Sequence, residues 1–361
     1  MRFAKGHGTQ NDFVILPDPD GVVDLTPGLA ARLCDRRAGL GADGVLRAVR
    51  VNGDAASPAG TGGGGAEWFM DYRNADGSLA EMCGNGIRVF GRYLLDHDLV
   101  AGPEFAVATR AGTRLVRAEP DGEITVDMGP PHVLGTGQAT LAGQPLEGLR
   151  VSLGNPHLAC LVDSPLAEFD LSQPPALDAR QFPDGVNLEL VSVVGSGHLL
   201  MRVYERGSGA TRSCGTGAVA AAVAATVAAA GPSASAAAWL SAPTAPADDG
   251  SSAAPPGDAG SGPIAGGGVS ADQAAAGAQP ASAAGSGSAS AAGSGSASAA
   301  DAVPPLSGGW VVDLRGGRLR VMFDGRTSFL SGPAVIVAEG ELNQAWLSGR
   351  PAIPGQSSPA A

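Results

Sequence analysis

Two stretches of the sequence resemble each other: MCGNGIRVFGRYLLD at Met82–Asp96 and SCGTGAVAAAVAATV at Ser213–Val227. Each has a cysteine followed by Gly-X-Gly and then by residues that favour a helix. A cysteine in this place lies where the first backbone N–H groups of a helix have no intrahelical partner. Those groups and the positive end of the helix dipole stabilise a thiolate and can bind an anion beside it. The pattern predicts that the chain contains two equivalent halves of one site, each formed by one of these stretches.

Two such helix ends that face each other would hold one small carboxylate between two sulfurs. A thiol on each face of a carbon atom is what stereoinversion by two bases requires, because one thiolate removes the proton and the opposite thiol returns it. A single Cys-Gly pair would more simply be a buried cysteine in a tight turn. The repetition with matching context favours the chemical role for Cys83 and Cys214.

The 361-residue chain is long enough for an ample core, but part of it has the composition of a flexible coil. Residues 241–307 are dominated by Ala, Gly, Ser and Pro, and 285–300 form a near-exact short repeat. Because large apolar side chains are almost lacking there, we expect a disordered insertion. We also expect a Gly-rich surface loop at 52–65 and a disordered tail at 351–361.

Charge and cysteine usage exclude several classes of function. The formal net charge is −12 and no basic stripe is present, so we expect no nucleic-acid partner. The Ala-rich run at 218–230 is too short to span a membrane, and the N-terminus has no apolar signal segment. The four cysteines form no C-x-x-C pair or zinc-ligand spacing, so no metal is expected. Free thiols favour a cytoplasmic location.

Short apolar runs typical of strands recur through both parts of the chain, with helices predicted at 27–36, 86–96, 176–181 and 215–229. An Asn before a strand also recurs, at Asn11 and Asn155. The predicted fold class is α/β (α+β), with two pseudo-symmetric, duplicated, strand-rich halves. Each half has a central helix that starts at its Cys-Gly-X-Gly, and the active site lies in the cleft between them. The halves are expected at 1–128, with a return at about 338–350, and at 129–337.

Further motifs surround the two cysteines in a fixed order. They are KGHGTQNDF at 5–13, AGLGADG at 38–44, RNADGSLAEMCGNGIR at 73–88, GNPH at 154–157, the strand at Asn187, YERGSGATRSCGTGA at 204–218 and GPAVIVAEGEL at 332–342. On these motifs the chain resembles the diaminopimelate epimerase family, a cofactor-independent group of amino-acid racemases. The resemblance covers nearly everything outside the two insertions.

The resemblance implies epimerisation of LL-2,6-diaminopimelate to meso-diaminopimelate by a two-base mechanism without a cofactor. The reaction belongs to lysine and peptidoglycan precursor biosynthesis. Cys83 and Cys214 are then the acid–base pair. His157 and Glu205 are implied to move the proton so that one sulfur starts charged and the other neutral. The implied partner is this small-molecule substrate, and a homodimer is left open.

The polar residues near the cysteines are expected to bind the substrate. The N–H groups of Gly84, Asn85, Gly215 and Thr216 suit the reacting α-carboxylate, because they bind more strongly as charge develops. The distal amino-acid end is assigned by the resemblance to Asn74, Asn155, Asn187 and Arg206, with Asn11 and Glu205 also lining the site. Arg binds a carboxylate bidentately and Asn both donates and accepts, so such a site would reject simple amino acids.

Three alternatives remain at this point. The first is a proline or hydroxyproline racemase, which also uses two thiols as its acid and base. In that group a His typically stands where this chain has Asn85, and a Pro precedes the second cysteine where this chain has Ser213. A catalytically silent amino-acid-binding module is disfavoured by the retention of both cysteines. A thiol redox protein is the third, and a Cys83–Cys214 disulfide formed on oxidation could switch activity off.

Overall fold

Eighteen strands and four α-helices form the described part of the chain, which is residues 1–51, 65–231 and 307–349 of a computed structural model. The strands are β1 Arg2–Gly8, β2 Asn11–Pro17, β3 Gly44–Arg50, β4 Trp68–Asn74, β5 Glu104–Thr109, β6 Gly112–Ala118, β7 Ile124–Gly129, β8 His132–Leu141, β9 Gln144–Ser152, β10 Pro156–Leu161, β11 Ala176–Leu177, β12 Asn187–Gly195, β13 His198–Glu205, β14 Gly209–Thr211, β15 Ser307–Leu314, β16 Gly317–Asp324, β17 Ser328–Gly332 and β18 Val335–Glu341. The helices are α1 Pro27–Cys34, α2 Gly84–Asp96, α3 Gly215–Ala230 and α4 Gln344–Leu347. The predicted loop, insertion and tail lie outside the described residues, apart from Gly65 and Ser307.

The strands follow one pattern of pairing twice. In the first half the hydrogen-bonded order is β18, β1, β2, β3, β4, β5, β6, β7, with only β2–β3 and β4–β5 parallel. In the second it is β8, β9, β10, β12, β13, β15, β16, β17, with only β10–β12 and β13–β15 parallel. The two orders superimpose pair by pair, and β7 pairs with β17 where the halves join. The predicted duplicated, strand-rich fold class is confirmed, whereas the exact boundaries of the halves stay a prediction.

One helix packs inside each half. Helix α2 packs on β1, β2, β6 and β7, and it buries the large side chains Ile87, Phe90 and Leu94. Helix α3 packs on β9, β10, β12, β13 and β16 and is buried on every side from 215 to 225, where it has only Ala, Val, Gly and Thr. Small residues allow strands to approach a helix closely from several directions. Among the described residues, no helix has the length and apolar character needed to cross a bilayer.

One local prediction was wrong. The helix predicted at 176–181 is instead the short strand β11, whose Ala176 and Leu177 pair with β8, followed by turns. The strand β8 also forms a hairpin with β9. The strand β11 and the β8–β9 hairpin contribute to a second apolar cluster, which includes buried residues of β10 and β12. Tertiary packing and strand pairing therefore outweigh the local helix preference of 176–181.

Candidate active site

The two helix N-termini meet above one leucine. A Cβ atom built at Gly84 would lie 2.9 Å from Leu330 Cδ2, and one built at Gly215 would lie at the same distance from it. The Gly215 Cβ would also be 3.2 Å from the backbone nitrogen of Asn85. A side chain at Gly215 would therefore press on the start of α2. One at Gly84 would have to displace the side chains of Met128 and Leu330.

A cavity of about 1110 Å³ opens at this meeting point. Twelve of the thirteen residues predicted for the site line it: Asn11, Asn74, Cys83, Gly84, Asn85, Asn155, Asn187, Glu205, Arg206, Cys214, Gly215 and Thr216. His157 is the exception, because its side chain is buried behind the lining. The structure thus brings together residues that are far apart in sequence, from both halves of the chain.

Cys83 is the N-cap of α2. Its backbone is extended, and its sulfur accepts the N–H of Gly86 at 3.4 Å. The thiol also contacts the Oδ1 atom of Asn11 at 3.7 Å. Burial raises the pKa of Cys83 to about 11, although the Gly86 N–H acts in the opposite direction. The expected thiolate stabilisation by the helix end is therefore outweighed, and the substrate-free site holds a protonated Cys83 at neutral pH.

Cys214 caps α3 in the same way. Its sulfur accepts the N–H of Gly217 at 3.4 Å and lies 3.5 Å from Thr216 Oγ1. Burial, followed by the nearby carboxylates of Glu205 and Glu189, raises the pKa of this thiol well above its ordinary value. Cys214 is thus also a thiol at neutral pH in the substrate-free site.

Glu205 is half-buried at the end of β13, beside Cys214. Its Oε1 accepts a hydrogen bond from the Thr211 hydroxyl, and interaction with the nearby Cys214 thiol, like this bond, favours the charged carboxylate. Burial raises the pKa of Glu205, whereas these two interactions lower it. A carboxyl group with a raised pKa next to a thiol is suited to exchanging a proton with it.

A chain of polar contacts leads from His157 to Cys214. The Nδ1 atom of His157 lies 2.6 Å from Glu189 Oε1, and its Nε2 atom lies 3.1 Å from Asn155 Oδ1. The Nδ2 group of Asn155 donates to Thr216 Oγ1 at 3.3 Å. Thr216 in turn contacts Cys214. His157 is therefore connected to the cysteine through two intermediates rather than by touching it.

The residues predicted for the distal end of the substrate range from exposed, at Arg206, to buried, at Asn187. The Arg206 side chain is exposed, and its Nη1 donates to the Asp184 carbonyl at 3.0 Å. Its backbone N–H donates to Asn187 Oδ1 at 2.9 Å. On the opposite wall, Asn74 Nδ2 donates to Ser78 Oγ at 3.0 Å. An arginine and several amides at one end of the cavity suit a ligand that carries both a carboxylate and an amine.

Four residues that the sequence analysis did not assign belong to the site or support it. Tyr72 and Asp43 line the cavity, whereas Glu189 and Arg88 are fully buried beneath it. Asp43 and Arg88 stand inside motifs that carry the family resemblance, so their place in the sequence was the available signal. Glu189 stands two residues after Asn187 and so on the same face of β12, which was its only signal.

Solved structures of other proteins share this fold. A phenazine biosynthesis protein of the PhzF family from Bacillus anthracis matches 95% of this chain and 99% of its own at 13% identity and a TM-score of 0.53. A hydroxyproline epimerase from Agrobacterium vitis matches 94% and 91% at 14% identity and a TM-score of 0.51. The fold is thus that of the duplicated epimerases, racemases and PhzF-like proteins.

Sequence comparisons narrow this class to one family. A profile of the family described as diaminopimelate epimerase matches residues 3–134 and 149–238. The diaminopimelate epimerase of Acidothermus cellulolyticus is 40% identical over 366 residues, which cover 96% of this chain and 97% of its own. That of Thermobifida fusca is 63% identical over 227 residues, covering 61% and 81%. The chain belongs to the diaminopimelate epimerase family and is an isomerase.

Proposed function

We propose that this enzyme interconverts LL-2,6-diaminopimelate and meso-diaminopimelate with Cys83 and Cys214 as its two bases. One observation carries the proposal: two cysteines cap two pseudo-equivalent helices whose N-termini meet in one cavity. Each cysteine belongs to a different half, so a carbon atom held between the helix ends is approached by sulfur from two sides. This is the arrangement that inversion at one carbon requires.

The α-carboxylate is held by the helix ends. The first N–H groups of α2 and α3 have no acceptor within their own helices, and both helix dipoles have their positive ends here. These donors are fixed by the backbone, so they stabilise the carbanion without reorganisation as charge moves onto the carboxylate. One of the two thiols first loses its proton, to solvent or to a neighbouring carboxylate such as Glu205. The resulting thiolate takes the proton from the carbon, and the opposite thiol delivers its own proton to the other face.

The distal end of the substrate gives selectivity. Arg206 supplies a charge-assisted partner for the remote carboxylate, while Asn74, Asn155 and Asn187 offer acceptors for the remote ammonium group. A substrate that lacks either group would leave these polar side chains without partners, which disfavours simple amino acids.

The cellular setting follows from the same chemistry. The four cysteines are free, and two of them must stay reduced for the mechanism to work, which supports a cytoplasmic enzyme. We assign it to lysine and peptidoglycan precursor biosynthesis on family membership. The proposed mechanism uses no cofactor, because both proton transfers are supplied by thiols of the chain.

Incubation with LL-diaminopimelate in D2O tests the proposal directly. Chiral chromatography should show conversion to a mixture with the meso isomer, and mass spectrometry should show deuterium at one α-carbon. Dialysis against a chelator should leave the rate unchanged. Inversion of L-proline or trans-4-hydroxy-L-proline, without turnover of diaminopimelate, would favour the alternative racemase function.

A further inference from the structure

The two cysteine helices rest on different surfaces. In the first half, β2 and β3 are parallel, and Phe13 pairs with Gly44. A Cβ atom at Gly86, in the first turn of α2, would lie 3.4 Å from both Phe13 Cζ and Leu46 Cδ2. The helix end that carries Cys83 therefore packs on two apolar side chains.

The corresponding place in the second half is polar. There β10 and β12 are parallel, and His157 pairs with Asn187, in the register that Phe13 and Gly44 have in the first half. His157 thus replaces the phenylalanine, and Glu189, two residues along β12, replaces the leucine. A Cβ atom at Gly217, in the first turn of α3, would lie 2.7 Å from Glu189 Oε1.

Because of Glu189, the two cysteine helices differ in the charge that lies beneath their N-termini. Its side chain is fully buried, and its Oε2 atom has no hydrogen-bond partner among the described residues. Its other oxygen bonds His157, so the carboxylate end of this pair lies against the first turn of α3. Burial raises the pKa of Glu189, whereas His157 lowers it. In its charged form the carboxylate offsets the positive end of the helix dipole, which would otherwise stabilise a Cys214 thiolate.

The first half has a buried cation instead. Arg88 is fully buried on α2, five residues after Cys83, where the matching position of α3 has the apolar Val219. Its guanidinium donates to neutral oxygens, including Asn85 Oδ1 at 2.6 Å and the Pro333 carbonyl at 3.0 Å. Burial lowers the pKa of Arg88 to about 10, which leaves it charged at neutral pH.

The remaining ionisable groups around the cysteines do not cancel this difference. Glu205 disfavours ionisation of both thiols, because it raises the pKa of each. Tyr72, which faces Cys83, has its pKa raised by burial and stays neutral. Glu123 lies near enough to Arg88 to favour its charged form.

We propose that Arg88 and Glu189 polarise the cysteine pair, so that Cys83 loses its proton before Cys214 in the substrate-free enzyme. Arg88 and Glu189 act as positioning residues, because the charge of each changes how readily a cysteine ionises, while the cysteine itself carries out the reaction. The inference rests on the proposed function for its biological meaning, because it identifies the thiolate with which the two-base cycle begins.

Alkylation of the substrate-free, full-length enzyme by iodoacetamide tests which cysteine loses its proton first. The modification of each cysteine in brief pulses is followed by peptide mass spectrometry between about pH 6 and about pH 12, because the pKa of Cys83 lies at about 11. Each curve is fitted with its own plateau, which removes differences in access, and a Cys214 midpoint beyond this range counts as the higher one. The Cys83 curve should have its midpoint at a lower pH than the Cys214 curve. A Cys83 midpoint equal to or above that of Cys214, or no titration of Cys83 in this range, overturns the proposal.

Variants assign the effect to the two residues. Glu189→Gln keeps the shape and should move the Cys214 midpoint down by at least about half a pH unit while leaving Cys83 in place. Arg88→Met should move the Cys83 midpoint up, and Arg88→Lys, which keeps the charge, should restore most of the difference. An unchanged Cys214 midpoint in Glu189→Gln contradicts the role of Glu189. None of these alkylation experiments measures turnover. If the enzyme failed the epimerase assay but Cys83 still titrated before Cys214, only the proposed function would be refuted.

Discussion

The side-chain amide of Asn11 donates to the carboxylate of Asp43 over a distance of 2.7 Å between Nδ2 and Oδ2. This bond fixes which way the amide points. Its Oδ1 atom is thereby turned towards Cys83 and towards Asn85, whose Nδ2 donates to it at 3.2 Å. Asp43 thus orients a group that holds the thiol, although in the described part of the chain it does not hydrogen-bond the sulfur itself.

We expect Asp43→Asn to lower kcat about ten-fold, because the amide of Asn11 loses its charged acceptor and can turn over. The KM for LL-diaminopimelate should change less. Arg36→Met is the comparison variant, since Arg36 forms ion pairs with Asp43 at 2.6 Å and with Asp12 at 2.7 Å but does not bond Asn11. An equal loss of kcat in both variants would show that the ion pair, and not the orientation of Asn11, is responsible.

Cys83→Ala and Cys214→Ala should each reduce epimerisation by about 10²–10⁴-fold, because removal of a general acid or base leaves one face of the carbon unserved. The assay is turnover of LL-diaminopimelate at saturating substrate. Cys160→Ala provides the control, as Cys160 is buried in the second apolar cluster and does not line the cavity. Near-parental turnover in either active-site variant is incompatible with the two-base proposal.

Arg206→Met should raise the KM for diaminopimelate by on the order of ten- to one hundred-fold, through loss of a charge-assisted bond worth about 1.5–3 kcal/mol. The thermal midpoint should hardly move, because the Arg206 side chain is exposed. Arg180→Met changes the same residue type at a side chain that is 94% exposed and outside the cavity lining. If its kinetics match those of Arg206→Met, Arg206 is not a substrate ligand.

Gly77→Ala should disturb the turn that follows Asn74. Gly77 has φ +86°, and a Cβ atom there would lie 2.2 Å from the Pro27 carbonyl oxygen. We expect a lower thermal midpoint and a raised KM, because the turn must shift to relieve the clash. Gly122→Ala has the same φ of +86° but no atom within 4 Å of the added Cβ, so it measures the conformational cost alone. The prediction fails if the two variants behave alike.

Asp12 should stabilise the enzyme in a pH-dependent way. Although burial opposes it, hydrogen bonds from Arg36 and Lys5 lower the pKa of Asp12 from 3.8 to about 2. A carboxyl group with a depressed pKa stabilises the folded state fully above its unfolded pKa, and that stability is lost as pH falls from about 4 towards about 2. The shift corresponds to about 2 kcal/mol.

Urea unfolding of the parent and Asp12→Asn measures this contribution. The difference in free energy of unfolding should be largest near neutral pH and should shrink below about pH 4. A difference that stays constant across this range would mean that Asp12 acts through packing or neutral hydrogen bonds.

The local parts of the site could be predicted from the sequence. Capping is decided within a few residues, so Cys-Gly-X-Gly before an apolar run is enough to place Cys83 and Cys214 at helix N-termini. Duplication then implied that the two ends share a site, and the family motifs supplied the remaining polar residues.

The charges beneath the site could not be found in this way. Glu189 alternates with apolar neighbours on β12, as a residue on a solvated face would, and only the packing of α3 over that face buries it. Arg88 stands in an amphipathic helix, where a charged residue usually faces water. The helix predicted at 176–181 failed for a similar reason, because pairing with β8 is decided by distant residues.

The antiparallel pairing of β7 with β17 has a mechanical consequence. Five residue pairs, from Ser328–Gly129 to Gly332–Ile124, join the two halves in one β-ladder. Leu330 lies on this ladder and packs against both helix ends. A hinge motion that separated the halves would have to break the backbone hydrogen bonds of this ladder. We therefore expect the floor of the cavity to stay rigid while substrate comes and goes, with entry governed by the surface turns around Asn74 and Arg206.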